Sequence, residues 1–107
     1  MNSFTVAPAL NTLEEYRMKI RETDKQILSL IKERLGIGGQ VADIKHGNGL
    51  PTIDPDAEKA TMDSLTQSGA EIGLDPSFAR RLGELLIDYS KEIEAEGGLE
   101  DTAPEEE

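Results

Sequence analysis

The sequence of 107 residues contains no cysteine. Disulfide bonds and thiolate zinc sites are therefore excluded, and the composition suits a reducing cytoplasm. No segment approaches the roughly 20 apolar residues that a membrane-spanning helix needs. Residues 1–11, MNSFTVAPALN, have neither a basic start nor a long apolar run, so we do not expect a secretion signal. These absences predict a cytoplasmic protein, and the length of 107 residues predicts one small domain.

Negative charge is in excess but unevenly distributed. Asp and Glu number 22 against 11 Lys and Arg, which gives a net charge of −11. Seven of the acids lie in residues 94–107, where there is no Lys or Arg, so the rest of the chain is only mildly acidic. An acidic chain is a poor candidate for general nucleic-acid binding. Seven of the bases lie between Arg17 and Lys45, so a few cations could still converge on a small anion.

Helical spacing of apolar residues predicts an all-α chain of three helices, with no strand pattern. The first helix is expected to start at an N-cap, Thr12, and to stop at HGNGLP, residues 46–51. Asp54-Pro55 and Asp75-Pro76 each pair an N-cap with a proline at the first helical position. The second helix is expected to end near Ser68, and the third at the glycines at 97 and 98.

This pattern divides the chain into a flexible arm over residues 1–11, a helical domain over 12–97 and an acidic disordered tail over 98–107. A first helix over residues 12–46 would be about 50 Å long at about 1.5 Å per residue. A globule of this chain length is only about 34 Å across. Part of the apolar stripe would therefore lie outside the domain, and an intertwined homodimer is the simplest way to cover it.

The run RLGIGGQVADIKHGNG, residues 34–49, combines cations with closely spaced glycines. On a continuous helix one face presents Arg34, Gly38, Val41 and Lys45. The two cations lie about 16 Å apart along the axis and form the ends of a slot, and Gly38 between them has no side chain to fill it. A phosphate-binding loop does not fit, because such loops follow a strand and open a helix. A solvated helix face remains the alternative on these residues alone.

Two further polar pairs stand at helical i,i+4 spacing. Asp54 and Glu58 lie at the start of the second helix, where capping and interaction with the helix dipole are the alternative roles. Ser90 and Glu94 lie beside the apolar stripe of the third helix, where the alternative is an exposed polar edge.

Three segments resemble the all-helical chorismate mutases: LEEYRMKIRETDKQILSLIKERL, VADIKHGNGLPTIDPDAEK and LDPSFARRLGELLIDYSKEIE. The order of an Arg, an Asp seven residues later, then ERL, IK and GLP-x-x-DP carries the resemblance, which covers residues 12–96. The resemblance implies a homodimer of interlocked three-helix chains, with the first helix spanning both halves. It also implies a one-step rearrangement that needs no metal and no cofactor.

The resemblance implies a role for each polar residue of the site. Arg17, reaching across from the other chain, and Arg34 would grip the substrate carboxylates. Lys45 would contact the ether oxygen of the breaking bond. Asp54 and Glu58 would hold the ring hydroxyl and position the lysine side of the site.

The remaining residues that the resemblance assigns to the substrate site are Gly38, Val41 and Ser90. Ser90 would lie near a carboxylate and Val41 would form an apolar wall. Gly38 stands where related enzymes usually have a small residue, and would form the floor of the slot.

Two positions depart from the family pattern. Ala57 stands where an arginine is usual, and Lys59 is the nearest cation that could replace it. Glu94 stands where most bacterial members carry a glutamine that donates to the ether oxygen. A glutamate can donate only when protonated, so we expect Glu94 to hold its proton when the substrate binds. The lone His46 is expected to be a helix-end residue rather than a base.

These observations favour a chorismate mutase, which rearranges chorismate to prephenate in aromatic amino-acid biosynthesis. An isochorismate–pyruvate lyase on the same fold is an alternative. A second is a non-catalytic helical dimer that binds an aromatic-pathway metabolite or a partner enzyme. A chain of 107 residues has no room for a separate regulatory domain, so we expect any feedback control to come from a partner enzyme.

Overall fold

The computed structural model describes the backbone of residues 2–95 and the side chains of residues 10–95. Over these residues the chain forms three helices and no strand: α1 (Asn2–Gly47), α2 (Pro55–Glu71) and α3 (Pro76–Ala95). The all-α prediction is thereby confirmed. As far as they are described, none of the helices combines the length and apolarity of a membrane span. The chain divides into one unit up to Arg34 and a second from Leu35 onward.

Helix α1 begins at Asn2, well before the predicted N-cap at Thr12. Pro8 removes one backbone donor from this stretch, but Ala7, Ala9 and Leu10 around it are good helix formers, and the helix continues through them. The capping signal at Thr12 therefore did not mark the start. The division into an arm over 1–11 and a domain over 12–97 stays a prediction, and the predicted tail over 98–107 lies outside the described residues.

The first unit consists of α1 residues alone, and none of its described side chains is buried. Every side chain from residue 10 to residue 30 is exposed. The apolar side chains of this stretch, each more than two-fifths exposed, are Leu10, Leu13, Tyr16, Met18, Ile20, Ile27, Leu28 and Leu30. Isolated exposed apolar side chains are ordinary, but so many along one helix are typical of a surface that another protein segment shields from water.

Helix α1 continues through Gly36, Gly38 and Gly39, as predicted, and stops at the predicted HGNGLP signal. The stop is a Schellman motif: the Leu50 N–H donates to the Lys45 carbonyl at 2.8 Å, and Gly49 has a φ of 69°. A left-handed backbone conformation is most favourable for glycine, so Gly49 determines where α1 ends.

Helices α2 and α3 begin at the two predicted N-caps. The Asp54 carboxylate accepts from the Ala57 N–H at 3.2 Å, and the Asp75 carboxylate accepts from the Ser77 hydroxyl at 2.8 Å. Helix α2 ends at Glu71 rather than near Ser68, because a second Schellman motif sets its end. There the Leu74 N–H donates to the Gly69 carbonyl at 2.8 Å, next to Gly73 with a φ of 89°.

Helices α2 and α3 pack as an antiparallel hairpin through small residues. Gly69 on α2 lies against Ala79 on α3, and Gly83 on α3 lies against Met62 and Leu65 on α2. A Cβ atom at Gly83 would lie 2.7 Å from the Met62 sulfur, so the glycine allows the close approach of the two helices. The buried apolar side chains of the second unit are Leu35, Ala42, Ala79 and Leu86.

Candidate functional site

The predicted slot residues occupy successive turns of α1. Gly38, Val41 and Lys45 follow one another at helical intervals, and Arg34 precedes them by one turn as the last residue of the first unit. Arg34, Gly38 and Lys45 are half-buried, whereas Val41 is exposed. No side chain on Gly38 stands between the neighbouring turns, so the surface there is low.

Lys45 and Asp54 are brought together by the turn after α1. The Lys45 Nζ atom lies 4.0 Å from Asp54 Oδ2, and the lysine side chain is only 22% exposed. The other Asp54 oxygen caps α2 by accepting from Ala57, so one carboxylate both starts the helix and faces the lysine. This ion pair places an ammonium group beside the turn, where it can donate a hydrogen bond to a developing negative charge.

Glu58, one turn into α2, forms an ion pair that the sequence did not predict. Its Oε2 atom lies 2.9 Å from Lys91 Nζ on α3. Lys91 directly follows Ser90 and precedes Glu94 by three residues, so it stands among predicted site residues. That position marks Lys91 as a neighbour of the site but does not predict its pairing with Glu58. The Glu58 backbone N–H donates to the Asp54 carbonyl at 3.0 Å, but among the described residues no side-chain hydrogen bond or ion pair links the Glu58–Lys91 pair to Lys45 or Asp54.

Ser90 and Glu94 lie one turn apart on α3, and both are half-buried. Their spacing places the hydroxyl and the carboxyl on the same side of the helix. They are neither a fully solvated polar edge nor part of the buried core.

Arg17 lies in the first unit and is exposed, with its guanidinium 3.6 Å from Glu14 one turn earlier on α1. More than half of each side chain in this pair is accessible to solvent. An exposed ion pair of this kind contributes little to stability, so it leaves the guanidinium available to another ligand at small cost.

Lys59, the cation nearest to Ala57, is paired with no predicted site residue. Its Nζ atom lies 2.9 Å from Asp63 Oδ2, one turn further along the same helix. His46 is at the end of α1, as predicted, where its Nε2 atom lies 2.8 Å from the Thr52 hydroxyl.

An open groove of about 600 Å³ runs along α2 and α3. It is lined mainly by charged side chains, among them Glu58, Lys59, Arg80, Glu84 and Lys91. Of the predicted site residues it contains only Glu58. Its openness does not suit the confinement of a flexible substrate, so the groove is not the predicted site but adjoins it at the Glu58–Lys91 pair.

Comparison with known proteins matches this chain to chorismate mutases and to one related mutase. Residues 16–95 match the family described as chorismate mutase type II. The chain is 34% identical over 85 residues to a chorismate mutase of Methanocaldococcus jannaschii, covering 79% of this chain and 86% of the relative. It is 27% identical over 77 residues to a 4-amino-4-deoxychorismate mutase of Streptomyces venezuelae, covering 72% of this chain and 75% of the relative.

A longer relative is the bifunctional chorismate mutase/prephenate dehydratase of Buchnera aphidicola. The identity is 31% over 83 residues, which is 78% of this chain but only 22% of that protein. No solved structure matches this chain.

Proposed function

This chain belongs to the chorismate mutase type II family, and we propose that it rearranges chorismate to prephenate at two sites of a homodimer. The observation that carries the proposal is the extent of the family match. It spans residues 16–95 and so includes every proposed site residue, from Arg17 to Glu94.

The reaction is an intramolecular pericyclic rearrangement, so it needs neither a nucleophile nor an intermediate. The enzyme must hold a flexible dianion in a compact conformation and stabilise the negative charge that grows on the ether oxygen. Restriction of the substrate to the reactive conformation can account for a large part of the rate enhancement. A preorganised donor at the ether oxygen supplies electrostatic stabilisation of the transition state.

Two arginines bind the substrate carboxylates in this proposal. Arg34 acts from the same chain as Lys45, and Arg17 of the partner subunit acts across the dimer. Guanidinium groups suit this task because they bind carboxylates through two parallel hydrogen bonds. The weak, solvent-exposed ion pair of Arg17 with Glu14 is compatible with such a role.

Lys45 and Glu94 are the proposed donors to the ether oxygen. The half-buried ammonium group of Lys45 is held near Asp54, and Glu94 donates when it carries its proton. Asp54 and Glu58 hold the ring hydroxyl. Ser90 lies near a carboxylate, and Gly38 and Val41 form the floor and the apolar wall of the slot.

The exposed apolar stripe of α1 supports the homodimer. Ile20 and Ile27 are at least half exposed within one chain, and a second copy would cover such a surface. Light scattering is expected to give about twice the chain mass of 11.7 kDa. A monomer at the concentrations where the enzyme is active would contradict the dimer.

The experiment that tests the function follows purified protein with chorismate by the loss of chorismate absorbance, then identifies the product. Prephenate is expected. When isochorismate is supplied, salicylate and pyruvate as products would instead assign the isochorismate–pyruvate lyase alternative. No turnover of either compound would favour the non-catalytic dimer.

We further propose a cytoplasmic location and, by analogy with the bifunctional relative's name, a separate partner enzyme of the aromatic pathway.

A further inference from the structure

The ion pairs between described residues fall into two kinds. Three of them join residues three or four positions apart on one helix, and more than half of each side chain is exposed. Two others join different segments, Lys45 with Asp54 and Lys91 with Glu58, and every side chain in these is less than half exposed. Three of these four residues belong to the proposed site. The fourth is Lys91, which has no assigned role.

The position of Lys91 on α3 matches that of a site residue. At about 100° per residue, it lies about 60° around the helix from Glu94. Its Nζ atom reaches across to Glu58 on α2 at 2.9 Å, with the lysine side chain 42% exposed and the glutamate 33% exposed. The pair therefore bridges the hairpin at the end where α2 begins, beside the cap of Asp54.

Among the described residues, no cation of α2 is paired with Glu58. Position 57 is an alanine, and Lys59 is paired with Asp63 on its own helix. Lys91 is therefore the cation that faces Glu58 in the described part of the chain.

We propose that Lys91 is a positioning residue that holds the Glu58 carboxylate and sets which ring substituent the site accepts. This inference rests on the proposed function, in which Glu58 binds the ring hydroxyl of chorismate. A carboxylate neutralised by an ammonium group still accepts a hydrogen bond from a hydroxyl. A substrate with a protonated amine at the same ring position would bring a second cation next to Lys91, and like charges brought close together repel.

The discrimination between a ring hydroxyl and a ring amine can be probed with 4-amino-4-deoxychorismate. One relative of this chain is named as a 4-amino-4-deoxychorismate mutase. Lys91→Met removes the charge and keeps most of the side-chain volume. We expect it to lower kcat/KM for chorismate about tenfold, as for the loss of a charged hydrogen bond. Because the bare Glu58 carboxylate then attracts the amine, the ratio of kcat/KM for the amino compound to that for chorismate is expected to rise by a similar factor.

Three further variants sharpen the test. Lys59→Met is the matched control, since it removes a lysine that also lines the groove and also bonds a carboxylate at 2.9 Å. Its activity and substrate ratio are expected to stay within twofold of wild type. Lys91→Arg is expected to restore the wild-type ratio. Adding Lys91→Met to Glu58→Gln is expected to cause no further loss, because both changes break the same contact.

The outcomes separate the inference from the function it rests on. A wild-type protein that does not convert chorismate refutes the proposed function, and the inference with it. An active wild type with an unchanged substrate ratio in Lys91→Met refutes the inference alone. Equal losses on both substrates, together with a lower melting temperature, would assign Lys91 a purely structural role and refute it as well.

Discussion

Replacing Lys45 separates a catalytic role from a structural one. The Lys45→Met variant keeps most of the side-chain volume but removes the ammonium group that lies 4.0 Å from Asp54. At that distance the attraction between unit charges is about 4 kcal/mol for an effective dielectric constant of about 20, and about 1 kcal/mol in water. Asp54 is 46% exposed, so solvent screening and side-chain ordering reduce the net contribution to about 1 kcal/mol or less.

The expected effect on catalysis is much larger. Loss of one preorganised donor to a developing oxyanion lowers kcat by about a hundredfold to a thousandfold. The lysine acts on charge that appears only in the transition state, so kcat is expected to fall while KM changes little. The variant should therefore be nearly as stable as wild type and almost inactive.

The assay combines steady-state loss of chorismate absorbance with thermal unfolding of the same preparations. Lys59→Met, which also removes one lysine from an ion pair, is the control and is expected to match wild type in both measurements. A Lys45→Met variant that keeps kcat within tenfold of wild type would refute the role of Lys45. A variant that no longer folds would refute the estimate of its small structural contribution.

Changes at three further positions have expected outcomes that follow from single contacts. Glu94→Gln is expected to keep kcat within tenfold of wild type, because a glutamine amide can donate the hydrogen bond to the ether oxygen, whereas Glu94→Leu is expected to lose at least a hundredfold; a Glu94→Leu enzyme as active as wild type would refute Glu94 as a donor. Asp54→Asn retains a good N-cap and so the melting temperature, but is expected to lose about tenfold in kcat, whereas Asp54→Ala also loses about 1 kcal/mol of stability. An Asp54→Asn enzyme as active as wild type would contradict the charge pairing. Gly73→Ala, at a φ of 89°, is expected to lower the unfolding free energy in urea by about 1–2 kcal/mol, and an unchanged value would contradict that strain.

The helix boundaries that the sequence predicts well are those determined by local chemistry. Asp54-Pro55 and Asp75-Pro76 start α2 and α3 because an aspartate cap and a proline act within one turn. The end of α1 follows from Gly49 for the same reason. No such local signal marks the start of α1, because helix propagation depends on the whole preceding segment rather than on a single cap.

Lys91 shows what sequence reasoning cannot supply. Its contact with Glu58 depends on the register of the α2–α3 hairpin, which is set by close packing at Gly69 and Gly83. Periodicity identifies Lys91 only as a polar residue beside the apolar stripe. The pairing of Lys45 with Asp54 is more local, because only a short turn separates the two residues along the chain.

The shared site is the central claim, and mixed dimers test it most directly. Arg17→Ala and Lys45→Met chains are each expected to be nearly inactive alone, because every site of either homodimer lacks one required cation. If Arg17 acts across the dimer, a mixed dimer holds one site with both residues intact. After unfolding and refolding of equal amounts together, half of the dimers are mixed, so about a quarter of wild-type activity should return. No recovery, with mixed dimers shown to form, would contradict a site built from both chains.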